Sequence, residues 1–207
     1  MGRAGDGQMR ILNLYSGVGG NRRLWGDSHE IIAVELNTEI AEVYSDLYPK
    51  DVVLNCDAHE YLRLNYDQFD YIWSSPPCPS HSRMRQFSRV RSGRSEPIYP
   101  DFGLYEEIVY LEEMTDIPWS VENVRPYYKP LIEPQWMDRH AYWAPFTIPY
   151  KAPVNDNLRT AQIPQLQTHF DIDLSKYKIS NKRQILRNMV HPETGLHILN
   201  AAIDWKS

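Results

Sequence analysis

The sequence predicts an α/β protein built on a mostly parallel sheet with helices on both faces. Three observations lead to this prediction. Short apolar strands alternate with helical stretches, a glycine-rich turn follows the first strand, and polar residues follow most of the later strands. Because ligands of open parallel α/β sheets bind at the carboxyl ends of the strands, we expect the functional site at that edge.

The predicted elements follow one another in a regular order. Apolar runs bounded by turn residues predict five strands, over 11–15, 31–34, 51–55, 69–73 and 119–121. The glycine turn leads into a first helix, a second helix covers 39–48 and ends before Pro49, and a third covers about 104–114. Residues 182–204 return to a helical pattern in two pieces, separated by His191-Pro192.

Composition divides the chain into four parts. Residues 1–8 are small and polar, and we expect them to be flexible. Residues 9–146 contain the strands and helices of the main domain. Residues 147–180 belong to a stretch rich in Pro, Tyr, Gln and Asn with weak periodicity, and 181–207 complete the main domain.

The overall composition excludes several classes of protein. The chain has 207 residues, 42% of them hydrophobic, which is enough for a true core. A net charge of −5 excludes a nucleic-acid-binding protein that is positively charged over its whole surface, but it allows a local basic patch. Two cysteines form no disulfide framework and no paired zinc motif, and no apolar run is long enough to span a membrane. We therefore expect a cytoplasmic protein without a metal or a membrane partner, and a monomer.

Three features predict a cofactor site at the strand ends. The turn Tyr15-Ser16-Gly17-Val18-Gly19-Gly20 matches neither the GxGxxG phosphate motif nor a P-loop, and alone it is typical of a tight turn. Glu35 follows the second strand, where a carboxylate can hold ribose hydroxyls, and Asp57 follows the third, where it can accept from an amine such as that of adenine. Either acid alone is typical of a helix cap. Together the three features predict a nucleoside-bearing cofactor.

Cys78 is the candidate nucleophile. It ends the turn Ser75-Pro76-Pro77-Cys78, whose two prolines make it stiff, and we expect it to be exposed at the ligand edge. The basic run that follows is expected to favour the thiolate, which is the nucleophilic form. Pairing with His81, as half of a metal site or as a Cys–His pair, is a weaker alternative because no second pair of ligands is present in the sequence. Cys56 is interpreted as a buried bystander.

Glu122 is the candidate proton donor. Glu122 follows a mostly apolar strand, which we expect to lie beside the strand that precedes Cys78. An acid in this position is expected to have a raised pKa. The alternative is an acid that caps a helix or forms an ion pair.

Five arginines follow Cys78, and no acid lies between His81 and Arg94. Charged runs usually only cover a solvated surface, but in a chain of opposite net charge this run favours contact with a polyanion near the site.

Together these motifs resemble those of the cytosine-C5 DNA methyltransferase family. The glycine turn, Glu35, Asp57, Pro76-Pro77-Cys78, Glu122-Asn123-Val124 and Asn188-Met189-Val190-His191-Pro192 occur in that family's order, over about 9–146 and 182–204. The small size and the stretch S-P-P-C-P-S-H-S-R-M are similar to phage or prophage members. The resemblance implies a Rossmann-like class I methyltransferase fold. It also implies transfer of a methyl group from S-adenosylmethionine to C5 of a flipped-out cytosine in DNA, through a covalent bond between Cys78 and C6.

The resemblance implies a role for each matched residue. Cys78 is the nucleophile, Glu122 protonates N3, and Arg139 is the best counterpart of the family's Gln-x-Arg-x-Arg stretch, which is not intact here. Residues expected to contact S-adenosylmethionine are Tyr15, Ser16, Gly17, Val18, Gly19, Gly20, Glu35, Leu36, Asp57, Ala58, Pro76, Asn188 and Val190. Residues expected to contact DNA are Ser82, Arg83, Arg85, Arg89, Arg91 and Arg94.

The sequence departs from the family pattern at two places. Pro79, Ser80 and His81 stand where the family usually has glutamine and phenylalanine after its cysteine. Residues 147–180 would form a much reduced target-recognition segment. Its expected readers are Asn155, Asn157, Arg159, Gln162, Gln165 and Gln167.

Two alternatives from other classes stay open. One is a cytosine-C5 methyltransferase acting on RNA, against which the lack of a Cys-Phe-Thr motif counts. The other is a catalytically inactive DNA-binding protein, against which the presence of Cys78 and Glu122 counts.

Overall fold

A computed structural model of the protein describes residues 8–83, 86–87, 96, 98–152, 158 and 160–206. Within these ranges, seven strands form one sheet in the order β3-β2-β1-β4-β5-β7-β6. The strands are β1 Arg10–Leu14, β2 Glu30–Val34, β3 Val52–Leu54, β4 Tyr71–Ser74, β5 Trp119–Val124, β6 Gln135–Met137 and β7 His140–Trp143. The first five are parallel, and β7 runs antiparallel to both of its neighbours. The predicted mostly parallel α/β sheet is confirmed.

Helices cover both faces of this sheet. In the described ranges they are α1 Thr38–Leu47, α2 Ala58–Asn65, α3 Gly103–Met114, α4 Ile163–His169, α5 Lys182–Asn188 and α6 Pro192–Lys206. Leu12 faces a core shared with α2 and α3, where Leu62 and Ile108 are buried. Its neighbour Ile11 points to the opposite face and packs with Ile198 of α6. Alternation along β1 thus separates two cores, one on each side of the sheet.

Two helices begin where side chains satisfy their first backbone N–H groups. Asn37 Oδ1 accepts from Ile40 N at 3.1 Å and begins α1. Asp57 Oδ1 accepts from Glu60 N at 2.8 Å and begins α2. The capping alternative for Asp57 is therefore correct, and it places this acid at the carboxyl edge of the sheet.

The region after the glycine turn differs from the prediction. Only a short 3-10 helix, Asn21–Leu24, forms there instead of an α-helix. Arg22 within it is buried and makes a two-bond ion pair with Asp51, at 2.8 and 2.9 Å. Gly195 of α6 lies against the same turn, since an added Cβ would come 2.2 Å from the Asn21 carbonyl oxygen. These contacts from distant parts of the chain hold the turn in its tight form.

The fifth strand is longer than predicted. It reaches Val124 because β7 pairs with it, Glu122 opposite Tyr142 and Asn123 opposite Ala141. Glu122 and Asn123 therefore lie inside β5 and not beyond its end. The β6–β7 hairpin was not predicted, since its strands are short and their partner is distant in sequence.

The segment 147–180 packs against the main domain. Leu166 of α4 and Phe170 are fully buried in a cluster with Ile40 and Val43 of α1.

The later helices follow the prediction, with α6 beginning at Pro192, a favoured first position. In the described part of the chain, no helix is long and apolar enough to cross a membrane.

Candidate functional site

Two adjoining cavities lie at the carboxyl edge of the sheet. The smaller has a volume of about 330 Å³ and the larger about 830 Å³. Both are lined by the residues that follow β1, β2 and β4, namely Tyr15, Glu35, Ser75 and Pro77. The carboxyl ends of these three parallel strands thus lie together at one edge of the sheet, as the sequence predicts.

Most residues predicted to bind a cofactor line one cavity or the other. The smaller cavity is lined by Tyr15, Ser16, Gly17, Val18, Gly20, Glu35, Pro76, Asn188 and Val190, and also by the candidate reactive residues Cys78 and Glu122. The larger cavity is lined by Leu36, Asp57 and Ala58. Gly19 lines neither cavity. It is buried with φ at +78°, and an added Cβ would lie 2.3 Å from the Tyr48 ring.

Glu35 links the glycine turn to the loop before α1. Its Oε2 accepts from Gly17 N at 3.0 Å, and its Oε1 accepts from Asn37 N at 2.8 Å. Gly17 adopts φ of +54°, a conformation that favours glycine. The carboxylate is thereby held between the two cavities, where it can also accept bonds from ligand hydroxyls.

Cys78 is partly buried, and its surroundings oppose ionisation. Burial and, to a smaller extent, the charge of Glu122 raise the pKa of the Cys78 thiol to about 11, against the opposing charge of Arg139. The expectation of an exposed thiol whose setting favours the thiolate is therefore wrong. Arg83, in the loop after Cys78, forms a hydrogen bond to the backbone of another segment: its Nε donates to the Pro126 carbonyl at 2.8 Å.

Glu122 is buried, as the predicted proton donor requires. Burial raises the pKa of Glu122 to about 7, against the opposing effects of a Ser75 hydrogen bond and the Arg139 charge. His140 Nε2 lies 3.6 Å from Glu122 Oε1, but burial lowers the pKa of His140 to about 3. Because a neutral imidazole forms no ion pair, this environment favours the proton-donor interpretation of Glu122 over the ion-pair alternative.

Asn123 fixes the turn that carries Cys78. Its Nδ2 donates to the Pro76 carbonyl at 3.0 Å, and its Oδ1 accepts from Val124 N at 2.9 Å. The bond to Pro76 is buried, and the bond from Val124 N is partly buried. The proline turn after β4 is therefore tied directly to β5, which brings Cys78 and Glu122 to the same cavity.

Arg139 connects the β6–β7 hairpin to the segment around Asn188, where the motif Asn188-Met189-Val190-His191-Pro192 begins. It donates from Nη1 to the Arg187 carbonyl at 2.6 Å and from Nη2 to the Met189 carbonyl at 2.9 Å. These carbonyls border Asn188, which lines the smaller cavity together with Val190. Arg139 thus lies beside the site through contacts that span nearly fifty residues.

His81 supports the loop after Cys78 and is not positioned as a ligand. It is 1% exposed, and its Nδ1 lies 2.6 Å from the Tyr128 hydroxyl. Ser82 forms an isolated bridge to Pro126. In the ranges that the structure describes, no group of three or more His, Cys, Asp or Glu residues could hold a metal ion. Of the predicted DNA contacts, Arg85, Arg89, Arg91 and Arg94 lie outside the described residues.

Three of the expected base readers take part in local bonds. Gln165 Oε1 accepts from Gln162 N at 2.8 Å at the start of α4. Gln167 Oε1 accepts from Leu174 N at 2.9 Å, and its Nε2 donates to Ser175 at 3.3 Å. Asn155, Asn157 and Arg159 lie outside the described residues.

Glu107 is a buried acid beside the site that was not predicted. Its carboxylate accepts bonds from the Tyr15 hydroxyl and, at 2.6 Å, from Ser74 Oγ, and His59 Nδ1 lies 3.2 Å away. Burial raises the pKa of Glu107, while these three partners oppose the shift. A sequence signal was available, because Glu107 falls on the apolar stripe of α3 between Leu104 and Leu111.

Comparison with known proteins gives partial matches. No family model matches the sequence. The tRNA (cytosine(38)-C(5))-methyltransferase of Mus musculus is 32% identical over 82 residues, covering 37% of this chain and 20% of that protein. The protein of the same name from Spodoptera frugiperda is 25% identical over 136 residues, covering 63% and 40%. A crystal structure of a Spodoptera frugiperda DNMT2 variant is 28% identical, with a TM-score of 0.39, covering 56% of this chain and 35% of that one.

The chain is similar in sequence to cytosine-C5 methyltransferases. This similarity supports the resemblance drawn from the motifs. The matched segments span less than half the length of these relatives.

Proposed function

We propose that the protein is a DNA (cytosine-5-)-methyltransferase that uses S-adenosylmethionine and the Cys78 thiol. The observation that carries the proposal is that Cys78 and Glu122 line the same cavity as the glycine turn. The sequence similarity to tRNA cytosine-C5 methyltransferases supports methyl transfer to a cytosine.

The two cavities fit S-adenosylmethionine in their polar groups. Ser16 Oγ is buried at the smaller cavity and has no hydrogen-bond partner among the described residues, so it can bond the amino-acid end of this cofactor. At the larger cavity, Glu35 and Asp57 offer carboxylate oxygens to the ribose hydroxyls and the adenine amine. Gly17 would approach the ligand through its backbone. Leu36, Ala58, Pro76, Asn188 and Val190 would complete the walls.

The proposed chemistry activates a carbon that is a poor nucleophile. The Cys78 thiolate adds to C6 of cytosine and forms an S–C6 bond, which raises the electron density at C5. Glu122, protonated, gives a hydrogen bond or proton to N3 and neutralises the charge that develops in the ring. S-adenosylmethionine, when bound, supplies the methyl group that C5 accepts. Loss of the C5 proton to water and cleavage of the S–C6 bond then restore the ring and release the Cys78 thiolate, and the N3 proton returns to Glu122.

Arg139 would assist the ionisation of Cys78. Its charge lowers the pKa of that thiol, in opposition to burial. Its hydrogen bonds to the carbonyls of Arg187 and Met189 hold it in place, which makes the assistance independent of the substrate.

The target base must leave the helix to reach this cavity, because a stacked base cannot enter it. We propose that Ser82, Arg83 and the arginines after it hold the phosphates of the DNA. Residues 147–180 would act as a small target-recognition segment. The main α/β domain would bind the cofactor, completed by 181–207.

RNA is the second candidate substrate. The matched relatives are named as tRNA methyltransferases, which favours it. The sequence Cys78-Pro79-Ser80, in place of Cys-Phe-Thr, favours DNA.

Covalent trapping tests the proposal. A 5-fluorocytosine in DNA cannot lose its C5 substituent as a proton, so with S-adenosylmethionine present it should hold the protein in an adduct that survives a denaturing gel. Cys78→Ser should form no adduct, and Cys56→Ser should form as much as the parent. A parallel reaction uses tRNA containing 5-fluorocytidine.

Each outcome of the trapping experiment has a distinct meaning. An adduct with tRNA alone would replace DNA by RNA as the substrate. An adduct through Cys56 would overturn the assignment of the nucleophile. No adduct with either polymer, from a protein that binds S-adenosylhomocysteine in calorimetry, would indicate the inactive alternative.

A further inference from the structure

Glu107 joins three elements that build the walls of the two cavities. Tyr15 directly follows β1 and lines both cavities. Ser74 ends β4 and precedes the proline turn of Cys78, and His59 belongs to the first turn of α2 and lines the larger cavity. The three side chains meet at the Glu107 carboxylate, which is 1% exposed.

The conformation of Tyr15 needs such an anchor. Its φ is +53°, in the left-handed region, which is strained for a non-glycine residue. Strain of this kind persists only where surrounding contacts determine the conformation. The hydroxyl of Tyr15 donates to Glu107 Oε1, and this bond to a buried carboxylate is of the strong, charge-assisted kind.

The burial of Glu107 also indicates a specific task. A carboxylate without solvent on an otherwise apolar helix stripe is costly, and an apolar residue would pack there more simply. Both carboxylate oxygens are engaged, Oε2 by Ser74 and Oε1 by Tyr15 and His59. A side chain that receives these bonds sets the position of each donor.

We propose that Glu107 is a positioning residue of the cofactor site, which holds the Tyr15 ring at the junction of the two cavities. The inference rests on the proposed function, because it assumes that S-adenosylmethionine spans both cavities. Glu107 itself lines neither of them. It acts on the cofactor through Tyr15.

A double-variant cycle measured by calorimetry tests this inference. Tyr15→Phe keeps the ring but frees it from Glu107, so ligand binding must reorder the ring, and the affinity for S-adenosylhomocysteine should fall by roughly 10-fold. Glu107→Gln keeps the shape and removes the charge, and should weaken binding by about 3- to 10-fold. If the two residues act through one bond, the double variant should bind no more weakly than about the worse single variant. The Michaelis constant for the cofactor should rise, while kcat at saturating cofactor stays within about twofold.

Glu113→Gln is the matched control, because Glu113 is exposed on the same helix and lines neither cavity. It should bind like the parent. Parent-like affinity in Tyr15→Phe, or independent effects that add in the double variant, would overturn the positioning role. A lowered melting temperature with unchanged affinity would reduce Glu107 to a structural role and overturn it as well. Failure of the parent to bind S-adenosylhomocysteine would instead count against the proposed function.

Discussion

At the scale of single residues, burial sets the properties of the two groups proposed to react. It raises the pKa of Glu122 to about 7 and that of Cys78 to about 11. A carboxyl group of this kind holds its proton at neutral pH far more often than an exposed one, which suits a proton donor. The thiol, in contrast, favours its protonated form, so in the proposed reaction the thiolate would form with help from charges such as that of Arg139.

Glu122→Gln should slow methyl transfer by roughly 10²- to 10⁴-fold, the usual range for loss of a general acid. The same change should stabilise the protein at alkaline pH. Because the folded-state pKa of about 7 exceeds the ordinary value of 4.5, the folded protein binds more protons between these values. Its free energy of unfolding therefore falls as the pH rises through this range.

Chemical denaturation at several pH values checks the stability effect of Glu122→Gln. The variant and the parent should differ little in stability at about pH 5. The variant should gain about 2 to 3 kcal/mol over the parent by about pH 8. Glu113→Gln, at an exposed position, should show no such trend. A difference between Glu122→Gln and the parent that does not grow with pH would contradict a buried, proton-holding Glu122.

At the scale of elements, the smaller cavity depends on a close approach between α6 and the 3-10 helix after the glycine turn. Gly195 permits this approach, and Asn21 on the opposite side lines the cavity. Asn21 also donates from Nδ2 to Asn13 Oδ1 at 2.8 Å, which ties the turn to β1. The wall of the cavity is therefore shaped by packing of a helix far along the chain.

Gly195→Ala should destabilise the protein by about 1–3 kcal/mol, the usual cost of overpacking. The added Cβ would lie 2.2 Å from the Asn21 carbonyl oxygen and 2.7 Å from its Cα, and backbone atoms cannot move aside like a flexible side chain. Intrinsic helix propensity alone predicts the opposite sign, since alanine is favoured over glycine by about 1 kcal/mol. Thermal unfolding measures the effect.

Asn200→Ala is the control for Gly195→Ala, because Asn200 is exposed on the same helix. It should change stability by less than about 0.5 kcal/mol. Gly195→Ala should also weaken S-adenosylhomocysteine binding, since Asn21 shifts with the turn. A more stable Gly195→Ala protein would show that α6 does not press on the turn as described.

At the scale of the whole molecule, charge and size would limit what the protein can read on the proposed DNA substrate. The arginines from Arg83 to Arg94 would supply phosphate affinity, which is independent of sequence and falls steeply with salt. Base-specific readout needs side chains projected from a positioned element, each giving about 1–3 kcal/mol of discrimination. The segment 147–180 is short, and the side chains of Gln162, Gln165 and Gln167 are engaged in its internal bonds.

We therefore expect a short or degenerate target of about two to four base pairs, because few contacts specify few positions. Bisulfite sequencing of a methylated mixed-sequence plasmid measures it. Binding should weaken strongly with salt, and Arg89→Ala should weaken it evenly across sequences. A strict six-base-pair site, read without a partner subunit, would show that 147–180 recognises more than this.

The sequence by itself determined which residues reach the functional edge of the sheet. Apolar runs mark the first four strands, and the glycine, Glu35 and proline–cysteine motifs come directly after three of them, so a parallel arrangement brings them together. This inference needs only local patterns and the rule that parallel strands share one edge. It holds for Tyr15, Glu35 and Cys78, which line adjoining cavities.

Tertiary structure alone decided the protonation and support of these residues. Burial, which depends on contacts from distant segments, raises the pKa of Cys78 against the expectation from its basic neighbours in sequence. Pairing with β7 extends β5 past Glu122, and a helix 92 residues away from Tyr15 supplies its partner Glu107. Local sequence patterns do not predict such contacts, because desolvation and cross-strand pairing arise only when remote parts of the chain come together.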